Sequence, residues 1–320
     1  MNRFIEIKEL VKLYYGHGFF DRMKSSVRAV DRVSFGIDRN TIFGLVGESG
    51  CGKTSLARSL LYLDPPTSGN VWYDGIFLEN LSPKELRFFR KRMQIVFQDP
   101  NSALNPKMRI HDSLAEGLIN RGFIKHERTK RINHLLELVG IPPAHSQRYP
   151  HEFSGGQKQR VVIARALSME PDFLVLDEPV SNLDVSIQAQ IINLLLDLKK
   201  EFSLTYLFIS HDLNLVAYLS DQIGVMYGGR LVEKASVEEV MNHPFHPYTL
   251  RLFSSVPKEQ RTIGEADKIE PEVSKEKAMA FSRIACPYVD QCAMGDQNCI
   301  GAEPEIKEVR PGHQVACFKV

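Results

Sequence analysis

One glycine-rich segment constrains the possible folds of this 320-residue chain more than any other. Residues 28–46 alternate in polarity and then run apolar, which predicts a buried strand before the segment. A helix is predicted after it, from Lys53 to about Leu63. Strand, glycine-rich turn and helix in this order form the context of a phosphate-binding loop. The segment itself consists of Gly47, Glu48, Ser49, Gly50, Cys51, Gly52, Lys53, Thr54 and Ser55.

The residue types in this loop suit the binding of a nucleotide. Glycines let the backbone wrap a β-phosphate, and the amides at the start of a helix face an anion. Lys53 reaches the β and γ oxygens, and Thr54 ligates Mg²⁺. Cys51 occupies a variable position, where a small filler is favoured over a reactive thiol. The strand and helix on either side disfavour the alternative of a chance glycine turn.

Two acidic residues follow a second apolar run. The run 173–176 is typical of a central parallel strand, and Asp177 and Glu178 end it. Asp177 is placed to hold Mg²⁺ through water, and Glu178 is then the natural base for the attacking water. A solvated strand end is the alternative for an isolated Asp-Glu pair, and the phosphate loop upstream favours the catalytic interpretation.

Two further signals, Gln98 and His211, are weak when taken alone, whereas the glycine pair within residues 153–160 is highly informative. Gln98 ends another apolar run, where its amide can contact Mg²⁺ or the lytic water. His211 follows a predicted strand at 205–209, and a lone histidine is more often structural than catalytic. A helix is predicted to begin just after Ser154, at the start of the tetrapeptide Ser154, Gly155, Gly156 and Gln157.

The order of these motifs resembles the set found in ATP-binding cassette (ABC) ATPases, over roughly residues 1–250. The resemblance implies that the loop from Gly47 binds ATP, that Gln98 belongs to the Q-loop and that His211 is the switch histidine. It also implies that Tyr15 stacks on adenine, with Tyr14 as the neighbouring alternative. Four signature residues and the D-loop aspartate would bind the ATP of an opposite subunit: Ser154, Gly155, Gly156, Gln157 and Asp184. Phe153 and Asn182 depart from the usual leucine and alanine, without loss of a polar contact to ATP.

Three other segments narrow the resemblance to the oligopeptide and dipeptide importers. They are residues 94–106, 27–31 and 246–249, and the insertion before Val27 is similar to the second ATPase of such systems. The resemblance implies a related partner ATPase, as a heterodimer or a homodimer, two permease subunits and an extracytoplasmic binding protein. It implies a peripheral protein on the cytoplasmic face of the membrane. Nickel and oligosaccharide importers share the group, so these cargoes stay open beside peptides.

We therefore expect an α/β P-loop NTPase in the form of an ABC cassette. Residues 1–256 would form the nucleotide-binding domain, with a mostly parallel core sheet and an antiparallel β subdomain at the start. A helical subdomain is expected at about 100–165. Residues 257–320 would form an extension, and the charged stretch 258–280 within it predicts a linker or a surface helix.

The extension is rich in cysteine. Four of the five cysteines of the chain fall in its last 35 residues, at Cys286, Cys292, Cys299 and Cys317. Disulfides are rare in cytosolic proteins, so the cluster indicates a metal centre. Four thiolates can saturate a [4Fe–4S] cluster or a tetrahedral zinc ion, and ligand softness does not separate the two. Similar tails in some importer ATPases carry a [4Fe–4S] cluster, which is the interpretation we favour over zinc and over unligated thiols.

Composition limits the function classes. The net charge of +1 gives no global field for nucleic acid, so we expect no nucleic-acid partner. The first residues lack the apolar core of a signal peptide, and no apolar run approaches the ~20 residues that span a bilayer. A soluble ABC ATPase of translation or DNA repair usually has two cassettes or a long coiled coil, and neither is evident. A purely redox-sensing module would have lost catalytic residues.

Overall fold

The computed structural model describes residues 3–15, 26–254 and 285–320. The linker predicted at 258–280 and the insertion before Val27 lie outside these residues. The strands are β1 (Ile5–Tyr15), β2 (Ser26–Ile37), β3 (Ile42–Val46), β4 (Ser68–Tyr73), β5 (Ile76–Phe77), β6 (Met93–Val96), β7 (Phe173–Asp177), β8 (Thr205–Ser210), β9 (Gln222–Tyr227), β10 (Arg230–Ser236), β11 (Lys307–Arg310) and β12 (His313–Val315).

The described α-helices range in length from 4 to 18 residues. They are α1 (Lys53–Leu60), α2 (Pro83–Arg92), α3 (Pro100–Ala103), α4 (Ile110–Arg121), α5 (Lys125–Leu138), α6 (Gly155–Leu167), α7 (Val185–Phe202), α8 (Leu213–Leu219), α9 (Val237–Asn242), α10 (Pro247–Ser254) and α11 (Gln297–Gly301). Across the described ranges, no helix is both long enough and apolar enough to cross a membrane.

The chain divides into two compact units, each assembled from separate stretches of sequence. The first unit contains Met1–Phe4, Ile37–Thr41 and Tyr73–Ile209. The second contains Ile5–Gly36, Ile42–Trp72 and Ser210–Val320. This division is of a different kind from the boundary at 256/257 expected from the sequence, which stays a prediction.

Parallel strands form the buried sheet of the first unit. β6 pairs with β7 and β7 with β8, and the last residue of β7, Asp177, lies opposite Ile209. Every residue of β7 and β8 is buried. A strand covered on both faces needs apolar side chains on both, which explains the continuous apolar runs at 173–176 and 205–209. The strands predicted at both places are confirmed.

Helices α3 to α6 account for the helical region predicted at about 100–165. Gly122 ends α4 in the left-handed conformation, with φ of 91°, and separates it from α5. The apolar residues of α5 recur at helical spacing and face the protein interior, where Ile132 and Leu136 are fully buried. The helix predicted just after Ser154 is α6, and Ser154 is its N-cap residue.

The second unit combines parallel and antiparallel pairing in one group of strands. β3 is parallel to β9, β9 is antiparallel to β10, and β10 is antiparallel to β12, which pairs with β11. Glu233 on β10 lies opposite Val315 on β12, and the Ala316 amide donates to the Val232 carbonyl over 2.8 Å. The C-terminal hairpin therefore extends the strand group that contains β3. A second sheet of this unit has the order β2-β1-β4.

Two elements differ from the sequence prediction. The strand predicted over 28–46 is two strands, because residues 38–41 form a turn in which Asn40 has φ of 59°. The Thr41 hydroxyl donates to the Asp38 carbonyl over 2.7 Å and stabilises that turn. The helix predicted to reach about Leu63 ends at Leu60, and Tyr62 has φ of 53°.

Candidate functional site

The glycine-rich loop between β3 and α1 needs its glycines for steric reasons. Gly47, Gly50 and Gly52 have φ of 153°, 82° and 106°, values that favour glycine. A β-carbon on Gly47 would lie 2.2 Å from the Met226 carbonyl oxygen. One on Gly52 would lie 2.0 Å from the Ala29 carbonyl oxygen. The loop is therefore packed tightly against neighbouring backbone, and its open side carries the exposed residues Glu48, Ser49 and Gly50.

Lys53 is the buried cation of this loop. It is the first residue of α1, and its ammonium group donates to the carbonyl oxygens of Gly47 at 2.7 Å and Glu48 at 2.9 Å. Thr54 follows it and is exposed at the start of the helix, and Ser55 is half-buried. Burial raises the pKa of the Cys51 thiol, so Cys51 stays protonated and fits the role of a small filler. The loop thus holds a positive charge at a helix N-terminus, where anions are stabilised.

A carboxylate and an amide meet at the end of β7. The Gln98 side-chain nitrogen donates to a Glu178 carboxylate oxygen over 2.9 Å. The same nitrogen lies 3.3 Å from the Ser181 hydroxyl. The Glu178 amide donates to the Ile209 carbonyl oxygen over 2.9 Å, which ties the residue to the end of β8. Residues 80 positions apart in sequence are therefore held together at one edge of the sheet.

Glu178 has a strained backbone. Its φ of 48° lies in the left-handed region, which costs a residue with a β-carbon about 1 kcal/mol or more. Asp177, the preceding residue, is buried at the end of β7. The left-handed residue turns the chain sharply after the strand, so that the two carboxylates occupy different environments. Strain of this kind concentrates at functional sites.

The segment from Ser154 to Gln157 forms the exposed N-terminus of α6. The Ser154 hydroxyl accepts from the Gln157 amide over 3.3 Å, and the Gln157 side-chain oxygen accepts from the Ser154 amide over 3.0 Å. This reciprocal capping box fixes the helix start. A β-carbon on Gly156 would lie 2.5 Å from Cγ2 of Ile187 on α7, whereas one on Gly155 would make only an ordinary contact with Leu183. The close approach of α7 therefore requires glycine at 156.

Several residues near this helix start are exposed. Ser154, Gly155 and Asp184 are exposed, and Phe153 beneath them is buried against His145. Val185, the first residue of α7, is 82% exposed. The surface around the signature segment is thus open to a partner.

Tyr15 and His211 belong to the second unit, with the phosphate loop. Tyr14 donates its hydroxyl to Asp64 over 2.8 Å, while Tyr15 at the end of β1 is 56% exposed. Tyr14 is also exposed, at 37%, and the assignment of Tyr15 as the ring that stacks on adenine stays a prediction. His211 is exposed directly after β8. Gln98, Asp177, Glu178, Asp184 and the signature segment belong to the first unit.

The four C-terminal cysteines line one narrow cavity. Cys286, Cys292, Cys299 and Cys317 share it with His246 and Tyr288. The Cys286 amide donates to the Cys299 carbonyl over 2.9 Å. Burial, with repulsion between neighbouring thiolates, raises the pKa of Cys286, Cys292 and Cys317. In the described part of the chain, no three His, Cys, Asp or Glu side chains have the geometry to hold a metal ion.

The structure adds one residue to which the sequence assigned no role. Tyr248 belongs to the segment 246–249, which served only as a marker of the importer subgroup. Its hydroxyl accepts from the Glu48 amide of the phosphate loop over 2.9 Å. The two residues lie 200 positions apart, so nothing in the local sequence could have indicated the contact.

Comparison with known proteins agrees with the two groups of motifs. Residues 30–181 match the ABC transporter family, and residues 232–299 match the family described as oligopeptide/dipeptide transporter, C-terminal region. The chain is 44% identical over 321 residues to the oligopeptide transport ATP-binding protein OppF of Bacillus subtilis, covering 98% of this chain and 96% of that one. AppF of the same organism, also named an oligopeptide transport ATP-binding protein, is 41% identical with coverage of 98% and 96%.

A solved structure shows the same cassette fold. It is the dimeric post-hydrolysis state of an ATP-binding cassette bound to ADP and Pi, with a TM-score of 0.65 and 28% identity. The similarity covers 73% of this chain and 98% of the other. The α/β cassette fold and the family expected from the sequence are confirmed. The chain belongs to the ATP-binding subunits of ABC transporters, in the oligopeptide/dipeptide group.

Proposed function

We propose that this protein hydrolyses ATP to power the import of peptides through a membrane permease. The observation that carries the hydrolytic part is the Glu178 carboxylate, held by the Gln98 amide at the end of a buried parallel strand. The peptide cargo is inferred from relatives that are named oligopeptide transport ATP-binding proteins and that are similar to this chain over nearly their full length.

The phosphate loop supplies the electrostatic part of the mechanism. Lys53 would keep its hydrogen bond to the Gly47 carbonyl and exchange the Glu48 carbonyl for the β and γ oxygens of ATP, since an ammonium group has three donors. The loop amides would surround the β-phosphate. Three oxygen donors suit Mg²⁺, which prefers hard ligands: the Thr54 hydroxyl, the Gln98 amide oxygen and the Asp177 carboxylate, directly or through water. Because the Gln98 amide nitrogen donates to Glu178, its oxygen would be the atom left for the metal. Mg²⁺ held by these residues would supply positive charge against the charge that develops on the phosphates.

Glu178 would act as the general base. Its carboxylate accepts a hydrogen bond from Gln98, which fixes the orientation of the oxygen that takes a proton from the attacking water. The left-handed backbone holds this carboxylate away from Asp177, so one carboxylate serves the metal and the other the water. His211 would hold the γ-phosphate as the switch histidine. Positioning and charge supply most of the rate in phosphoryl transfer.

The signature segment would complete the ATP site of a second cassette. The exposed Ser154 hydroxyl and the N-terminus of α6 would offer donors to an anion, and the related cassette structure is dimeric. Gly155 and Gly156 would contribute through their amides and Gln157 through its side chain, and Asp184 would contact the partner near them. The exposed Val185 supplies an apolar contact beside this surface. We propose a heterodimer with a related ATPase.

The remaining partners follow from the transporter group. Two permease subunits would form the pathway, and an extracytoplasmic binding protein would deliver peptide to it. The protein would then lie at the cytoplasmic face of the membrane as a peripheral subunit. We propose the division into a cassette at 1–256 and an extension at 257–320 for this assembly.

The extension would hold a thiolate-ligated metal centre. Four soft donors line one cavity, but their side chains are not arranged as metal ligands in the described structure, so coordination would require them to move together. Coordination would also draw these thiols into the thiolate form despite their raised pKa. We favour a [4Fe–4S] cluster over zinc. Bound to Cys286, Cys292, Cys299 and Cys317, it would cross-link the extension. Anaerobic purification with iron, sulfide and zinc analysis tests this, and zinc without iron contradicts the cluster.

Reconstitution tests the proposed function directly. The protein is co-expressed with a candidate permease pair and a candidate partner ATPase of the same transporter group, and the purified complex is placed in lipid vesicles with a matching binding protein. Peptide should stimulate ATP hydrolysis and enter the vesicles, and Lys53→Ala should abolish both. Stimulation by nickel or an oligosaccharide in place of peptide would contradict the peptide assignment while leaving the ATPase intact.

A further inference from the structure

A buried tyrosine contacts the phosphate loop from its protein side. The hydroxyl of Tyr248, near the start of α10, accepts from the Glu48 amide over 2.9 Å. Tyr248 is fully buried, and burial raises its pKa, so the hydroxyl is neutral. The contact lies outside the motifs to which a role in nucleotide chemistry was assigned.

This hydrogen bond and one from Lys53 hold the same peptide group. The peptide between Gly47 and Glu48 presents its N–H to Tyr248, and its carbonyl oxygen accepts from the Lys53 ammonium group over 2.7 Å. A peptide group is planar, so fixing its N–H also fixes its carbonyl. Tyr248 therefore sets the orientation of the carbonyl group that places the Lys53 ammonium.

Tyr248 is itself held by a network around a buried carboxylate. Its amide donates to Nδ1 of His246 over 3.1 Å. Glu233 on β10 accepts from the amides of Phe245 at 2.8 Å and His246 at 2.9 Å. Nε2 of His313, in the C-terminal hairpin, lies 2.7 Å from the same carboxylate, and Glu233 and His313 are both fully buried. The position of α10 is thus tied to the hairpin.

Tyr248 also packs against an aromatic residue of the cysteine-rich extension. The Tyr288 ring, between Cys286 and Cys292, lies 5.4 Å from the Tyr248 ring and 5.1 Å from that of Tyr227. Tyr227 and Tyr248 are 4.6 Å apart, so the three rings form one cluster. Aromatic contacts at these separations contribute specific orientation beyond their buried area. The C-terminal extension therefore contributes Tyr288 to the aromatic cluster that orients Tyr248.

We propose that Tyr248 is a positioning residue for ATP, through which the C-terminal extension sets the shape of the phosphate loop. The inference rests on the proposed role of Lys53 and its loop in ATP binding. It gives the extension a function toward the nucleotide that is separate from any metal it carries. Tyr248 does not touch the nucleotide and acts through the Gly47–Glu48 peptide.

The direct test is Tyr248→Phe in the intact transporter complex. Loss of one neutral hydrogen bond should raise KM for ATP about fivefold, with kcat changed less than about twofold. Tyr206→Phe is the matched control, because Tyr206 is buried and donates its hydroxyl to the Leu195 carbonyl over 2.9 Å. Both variants should lower the melting temperature similarly, and only Tyr248→Phe should raise KM. Equal KM values in the two variants would overturn the proposal.

A double-mutant cycle tests the link to the extension. Tyr288→Leu should raise KM for ATP in the wild-type background and have less than half that effect, on a logarithmic scale, in the Tyr248→Phe background. If Tyr288→Leu raised KM by the same factor in both backgrounds, the extension would not act through Tyr248. Lys53→Ala separates this failure from that of the proposed function, because retained ATP binding in Lys53→Ala would contradict the phosphate-loop assignment itself.

Discussion

The side-chain nitrogen of Gln98 lies 2.9 Å from the Glu178 carboxylate, although one residue follows β6 and the other follows β7. Parallel strands bring their carboxyl ends to the same edge of a sheet, and β6 and β7 are adjacent. Glu178 is also the residue whose backbone adopts the left-handed conformation at this edge. The fold thus holds the proposed base by its backbone and by its side chain at once.

Removing the amide should weaken this arrangement. In Gln98→Ala, Glu178 loses a fixed orientation and the proposed Mg²⁺ site loses a ligand, so kcat for ATP hydrolysis should fall about tenfold or more. Gln94→Ala is the control, because Gln94 lies on the same β6 and donates to the Arg90 carbonyl over 2.6 Å. Steady-state ATPase assays decide the point. An equal loss in both variants would indicate damage to the strand.

A side chain at Gly156 should destabilise the protein because it would clash with Ile187, and shortening Ile187 should relieve the clash. Its β-carbon would meet Cγ2 of Ile187 at 2.5 Å, and overpacking of this kind costs about 1–3 kcal/mol. Gly156→Ala should therefore lower the free energy of unfolding measured in urea. In an Ile187→Ala background the obstructing methyl group is gone, and the same change should be neutral or stabilising by up to about 1 kcal/mol. Equal destabilisation in both backgrounds would contradict the steric account.

Ser154→Ala should impair the ATP site of the partner and spare the site of its own chain. The change also removes an N-cap, which costs about 1 kcal/mol of stability. Ser82→Ala is the matched control, because Ser82 caps α2 with the same reciprocal box through Glu85. Mixed dimers with one altered subunit, and photolabelled ATP to identify the occupied site, make the measurement. Loss at the altered subunit's own site would be inconsistent with the assignment.

The buried Glu233–His313 contact should stabilise the C-terminal hairpin. His313→Leu leaves the Glu233 carboxylate buried with one hydrogen-bond partner fewer, which costs about 1–3 kcal/mol. His243→Leu makes the same change at an exposed position and should have little effect. Hydrogen exchange of the amides in β11 and β12 provides the readout. Faster exchange in His313→Leu alone supports the anchor, and equal exchange in all three proteins argues against it.

Local signals in the sequence predicted the elements that carry chemistry. Ser154 was expected just before a helix and is the N-cap of α6, and Asp177 was expected at the end of a buried strand and ends β7. In each case the signal lies within a few residues of the feature. The turn that divides β2 from β3 was missed, although Asp38 and Asn40 are residues that favour turns.

Contacts between residues far apart in the chain could not be predicted from the sequence. The pairing of Glu233 with Val315 adds a hairpin from the chain end to β10, and it depends on packing over 82 positions rather than on any local pattern. The hydrogen bond from Glu48 to Tyr248 is of the same kind. A single sequence shows which residues can donate or accept, and the fold decides which of them meet.

Glu178→Gln tests the central claim most directly, because it removes the proposed base and keeps the size and shape of the side chain. Hydrolysis should fall about 10²- to 10⁴-fold, while the Kd for ATP stays within about threefold of wild type and a stable ATP-bound dimer accumulates. Glu201→Gln, at an exposed position near the end of α7, should hydrolyse normally. Hydrolysis by Glu178→Gln at a near wild-type rate would contradict the account.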